Sequence, residues 1–133
     1  MNRILNSTTT FLLPDAASGV VDSDSIDFKL VADGSRLNPV EFELVWPAIA
    51  AADLANGSTV TLSVSTSDDD SSWTVLYPSL KVLTGATAGL AAGVHAFAIP
   101  AFSGGRYVKV TATADDTSSF DASGVTATVN EYC

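Results

Sequence analysis

Over Val40–Trp46 the side chains alternate one by one. Val40, Phe42, Leu44 and Trp46 fall on one side, and Glu41 and Glu43 fall on the other. A period of two is that of an extended strand with one face buried and one in water, because successive side chains point to opposite faces of a sheet. The same pattern returns along the chain. Ile26, Phe28 and Leu30 alternate with Asp27 and Lys29, and Val60, Leu62 and Val64 alternate with Thr59, Thr61 and Ser63. Trp73, Val75 and Tyr77 form a further set, as do residues 94–99. Val108, Val110 and Ala112, and then Val125, Ala127 and Val129, complete the inward positions, with threonines 111, 113, 126 and 128 outward.

Short strands separated by turn clusters, with no helical crossovers between them, describe an antiparallel sandwich or barrel rather than a parallel sheet. The expected fold is all-β, an antiparallel β-sandwich of jelly-roll type with about eight strands. Residues 58–65 and 73–77 read as a hairpin. Its turn is residues 67–72, Ser-Asp-Asp-Asp-Ser-Ser, whose short side chains bond nearby backbone groups and belong in solvent.

Two segments lack the alternation. Residues 47–56 start with proline, are rich in alanine and run into Asn56-Gly57, which predicts one short helix. Residues 84–93 hold three glycines and little bulk, which predicts a mobile loop or one ordered by a partner. Residues 1–25 carry Phe11, Leu12 and Leu13 ahead of Pro14 and are read as an N-terminal arm or the first strand, with the sandwich proper over 26–133.

The 133 residues suit a single domain. Six Lys and Arg against fifteen Asp and Glu give a formal charge of -9. That leaves little to neutralise phosphates, which argues against nucleic acid, and it repels an anionic membrane surface. No run reaches the ~20 apolar residues of a spanning helix, and the first ten residues lack a signal peptide's apolar stretch, so an unprocessed, cytoplasmically made protein is expected. The only cysteine, Cys133, permits no intrachain disulfide and reads as an incidental terminal thiol.

Chemistry finds little to stand on. His95 is the only histidine available as a base, and alternation places it with Phe97 and Ile99, as a core-side or strand-end residue. One Cys and one His do not make a zinc site. Asp68-Asp69-Asp70 lacks the spacing and closing glutamate of a calcium loop and reads as a solvated turn. Glu41 and Glu43 share a strand face about 7 Å apart, but nothing marks a cleft between them. Gly104-Gly105 precedes a strand and not a helix, so it is a turn and not a phosphate loop. The expectation is a protein that is not an enzyme and needs no cofactor or metal.

The run from Val60 to Thr74, V-T-L-S-V-S-T-S-D-D-D-S-S-W-T, and the run from Gly105 to Ala114, G-R-Y-V-K-V-T-A-T-A, resemble the jelly-roll capsid cement (decoration) proteins of tailed bacteriophages. Trp73, Arg106 and Tyr107 stand at that family's matching positions, and the similarity extends from about Ile26 to Val129. The resemblance implies a homotrimer on the outer surface of an icosahedral head, clamping neighbouring copies of the major capsid protein, in the virion and, during assembly, in the host cytoplasm. Expected capsid or oligomer contacts are Phe11 and Leu12 in the arm, Thr84 and Leu90 in the loop, and Arg106 as a charged anchor. Plainer readings stand beside these: Phe11-Leu12-Leu13 as a strand, and Arg106 as a strand-end ion pair with an acidic turn. A galactose-binding-like carbohydrate module and a minor tail or fibre-associated phage protein are the alternatives. The module is weighed down by aromatics such as Trp46 and Trp73 that fall on inward faces.

Overall fold

A computed structural model describes residues 5–14, 19–27, 40–99, 105–115 and 124–132. They form nine strands: β1 (Leu5–Leu12), β2 (Val20–Asp22), β3 (Ile26–Asp27), β4 (Val40–Trp46), β5 (Thr59–Ser67), β6 (Thr74–Thr84), β7 (Gly93–Ile99), β8 (Tyr107–Ala114) and β9 (Thr126–Tyr132). One sheet has the order β1-β9-β4-β7 and the other β2-β8-β5-β6, with β3 also on β8. Every pairing is antiparallel.

β2 and β3 pair with successive stretches of β8, so they are two halves of one edge strand. Between them Ser23 donates its N–H to the Val110 carbonyl at 2.8 Å and accepts the Val110 N–H on its hydroxyl at 3.0 Å, keeping the ladder bonded across the break. Counted that way, eight strands alternate between the sheets at every connection except the β5–β6 hairpin. This order is the double Greek key of a jelly roll.

The core lies between the sheets and is built from the residues that the alternation selects. Phe42 and Leu44 of β4, Val60, Leu62 and Val64 of β5, Val108, Val110 and Ala112 of β8, and Ala127 and Val129 of β9 are all buried. Phe11, Leu13 and Ile26 close the core from the chain's start, and Ile49 and Leu54 close it from the β4–β5 connection. Phe28 and Leu30 lie outside the described residues.

Three expectations are corrected. Residues 47–58 hold no helix: after a single turn in which Leu54 N–H reaches the Ala50 carbonyl, the backbone turns back. Burying both Ile49 and Leu54 matters more here than alanine's helix propensity. The second correction concerns residues 84–93, which are fastened rather than loose. Ile49 and Leu90 exchange both backbone hydrogen bonds at 2.8 Å, Gly57 N–H reaches the Gly85 carbonyl, and Gly85 N–H reaches the Ser58 carbonyl. Trp46 adds an indole N–H to the Ala91 carbonyl at 3.2 Å.

The third correction is at Val75, which is 58% exposed instead of buried. Between the pairs Val64↔Tyr77 and Ser65↔Val75, β5 advances one residue while β6 advances two, and this bulge flips the facing of everything beyond it. Leu76 takes the place against the core, and Trp73 is half-buried on the outer side.

Candidate functional site

Two ends and two outer faces of the sandwich are available for function. At one end the β4–β5 and β6–β7 connections lie side by side, joined by the Ile49–Leu90 bridge. Pro47, Ala48, Ala50, Ala52, Ala86, Ala88, Ala91 and Ala92 are exposed there. Asp53 is the only charged residue in 47–58 and 85–92, in a chain of net charge -9. A shallow groove of about 420 Å³ runs between Ala48, Ala50, Ala88 and Leu90. The backbones meet this closely because Gly85 has no side chain: a Cβ there would sit 2.1 Å from the Ala55 carbonyl oxygen.

At the opposite end the β5–β6 turn is built around Asp69. Its Oδ1 accepts the Ser71 N–H at 2.9 Å, the Ser72 N–H at 2.7 Å and the Ser67 hydroxyl at 2.9 Å. These bonds, the Ser72 amide first, hold the carboxyl below its usual pKa. Asp70 adopts a left-handed φ of 59°, a conformation that aspartate tolerates better than most residues. The turn is solvated beyond Ser67, which is buried under Gly105. The Asp69 carboxylate is thus used on the turn's own amides. Among the described residues no group of three His, Cys, Asp or Glu is placed to hold a metal.

The outer face of the β2-β8-β5-β6 sheet carries Arg106 and Lys109, two of the three described Lys and Arg residues. Arg106 makes two hydrogen bonds to Asp27, Nε to Oδ1 at 2.6 Å and Nη2 to Oδ2 at 2.7 Å, and lies over the Tyr107 ring. Bonding to Asp27 raises the guanidinium above its ordinary pKa. The ion pair is therefore with strand β3 and not with the acidic turn, and Arg106 is already engaged within its own chain. Lys109 bonds Asp22 at 2.9 Å and sits 4.6 Å from the Trp73 ring centre. Partial burial pushes Asp22 up, but the Thr111 hydroxyl and Lys109 outweigh it, and the carboxyl lies below its usual value.

Asp22 and Asp69 both have folded pKa values below the unfolded one. Each stabilises the fold fully above about pH 4 and loses that contribution as pH falls through the folded value. The expected result is a denaturation midpoint that drops as the pH falls below about 4. The drop should be smaller in Asp69→Asn, where one titrating group is gone; an unchanged acid profile in that variant would contradict the assignment.

The other expected contact residues divide sharply. Phe11 is 5% exposed inside the core, so it is not a surface contact. Its neighbour Leu12 is 49% exposed at the end of β1, Thr84 is exposed at the end of β6, and Leu90 is half-buried in the bridge to Ile49. The structure brings Leu90 and Thr84 to the same end of the sandwich and leaves Arg106 away from them. His95 is half-buried on β7, opposite Leu44. Cys133 lies outside the described residues.

Sequence reasoning passed over Glu131, a carboxylate 6% exposed on β9, opposite Phe42. Its signal was present, since position 131 continues the inward register of Ala127 and Val129. Among the described residues no helix is long and apolar enough to cross a membrane. Compared with known proteins, the chain matches no family model and no curated protein.

Proposed function

We propose that this chain is a structural virion protein, a decoration protein that binds the outer surface of an icosahedral phage head as a homotrimer and stabilises contacts between major capsid subunits. The observation that carries the reading is the charge-poor, alanine-faced end of the sandwich. Two loops tied by paired backbone bonds present it as one preformed surface. A preformed surface loses little entropy on docking, and weak contacts repeated by a symmetric lattice sum to firm attachment. The role is mechanical, without turnover or cofactor. It adds the motif resemblance of residues 60–74 and 105–114 to a jelly-roll framework that supports it.

The test uses exposed positions whose replacement leaves the core alone. Ala50→Glu with Ala88→Glu places two charges on that end, at sites where surface changes usually alter stability by no more than about 0.5 kcal/mol. Co-sedimentation with expanded phage shells that lack a decoration protein is expected to weaken by about tenfold or more, as uncompensated buried charge costs at an interface. Undiminished attachment would move the contact elsewhere.

The second reading, a carbohydrate module, gains one observation. Trp73 lies on the outer sheet side, against Lys109, whose partner Asp22 also accepts the Thr111 hydroxyl, instead of inside. Lys109 already covers one face of its ring, and the polar groups bond one another. A glycan array decides the matter: binding that Trp73→Ala abolishes would favour the module.

A further inference from the structure

The four sheet edges of the sandwich are not treated alike. The β7 edge is capped by Tyr77, whose hydroxyl donates to the Ala98 carbonyl at 2.8 Å and whose ring meets Phe97 edge-on at 6.4 Å. The β6 edge is interrupted where β5 advances two residues, Leu62 to Val64, against four on β6, Lys81 to Tyr77; the bulge contains Pro78. The β2–β3 edge is split at Ser23–Ser25. Breaks of this kind, proline and covering side chains are how natural sheets keep an edge from pairing with another chain.

β1 has none of them over Ser7–Leu12. It is the outermost strand of its sheet, eight residues long, and its sequence L-N-S-T-T-T-F-L has no charge and no proline. Its single irregularity lies at its start, between Leu5 and Ser7. The ladder to β9 uses one side of the strand. Among the described residues no backbone hydrogen bond is made on the other side. Leu5 and Leu12, 52% and 49% exposed, stand at its two ends.

We infer that the edge of β1, open among the described residues, is a strand-addition site, which accepts an extended segment of a partner protein as a further strand of the β1-β9-β4-β7 sheet. A row of unpaired N–H and C=O groups at strand spacing is complemented by another extended backbone, with side chains giving the specificity. The occupant is a segment of a different protein bearing positive charge, the complement of a chain of net charge -9. The inference rests on the proposed attachment to a shell for the partner's identity, but not for the chemistry of the edge.

Amide hydrogen exchange over residues 5–12 tests it in three states of the full chain: free, with expanded shells, and with a synthetic peptide of alternating lysine and valine. In the free protein, amides on the open side exchange fast. With an added strand they slow by about tenfold or more, as amides drawn into a ladder do. Slowing on the shells supports both the edge and the shell reading. Attachment to shells with β1 exchange unchanged overturns the edge inference and leaves the shell reading intact. Slowing with the peptide alone, without attachment to shells, keeps the edge and removes the shell, and no slowing in either state overturns the edge.

Discussion

Replacing Phe42 with alanine is expected to lower the unfolding free energy by about 3–5 kcal/mol, the usual cost of emptying a buried aromatic site. Phe42 is fully buried on β4, which has β9 on one side and β7 on the other. Its ring stacks on Phe97 with centroids 5.1 Å apart and planes 14° from parallel. Pairing across both ladders leaves the backbone little room to collapse into the cavity. Because small domains hold only about 5–15 kcal/mol in total, the variant should be close to unfolding in mild denaturant. Val75→Ala is the contrast: at 58% exposure it should change stability by no more than about 0.5 kcal/mol. Urea titrations of the two variants that came out alike would mean that the inward register is misassigned.

The second large effect is at a residue with no side chain. Gly85→Ala places a Cβ 2.1 Å from the Ala55 carbonyl oxygen and 2.6 Å from that of Leu54, backbone atoms that move only with their loop. The clash strains the two bonds that Gly85 makes to Gly57 and Ser58, so a loss of about 3 kcal/mol is expected from overpacking and weakened hydrogen bonds together. Gly57→Ala separates sterics from backbone conformation. Its φ of +85° makes alanine unfavourable by about 1 kcal/mol, but a Cβ there meets nothing. Thermal melts should therefore rank Gly85→Ala well below Gly57→Ala. In the proposed function the first variant should also lose shell attachment beyond what its stability explains.

Most of the framework was legible because strand alternation reports burial directly. Val40–Trp46 reads the same from sequence and from structure, and so do residues 60–64 and 108–112. The misreadings arise where another force overrides local pattern. Val75 alternates correctly with Trp73 and Tyr77, yet the bulge opposite Val64 and Ser65 reverses the facing, and a bulge set by cross-strand partners leaves no mark in one strand's sequence. Residues 84–93 looked loose for want of bulk. Gly85 serves close backbone approach instead, visible only once Ala55 is known to lie against it. Arg106 could be seen as an ion-pairing residue, but its partner Asp27 is 79 residues away in sequence, a distance that only the fold closes.

Attachment to a shell in lattice proportion is what separates a decoration protein from every other reading. Purified protein, its solution mass measured by light scattering, is titrated onto expanded phage heads lacking a decoration protein, and the bound amount is read after sedimentation. Trimers that saturate at a fixed number per three-fold or quasi-three-fold position are expected. A monomer that stays in the supernatant at every concentration, or one that binds without saturating, would contradict the decoration reading.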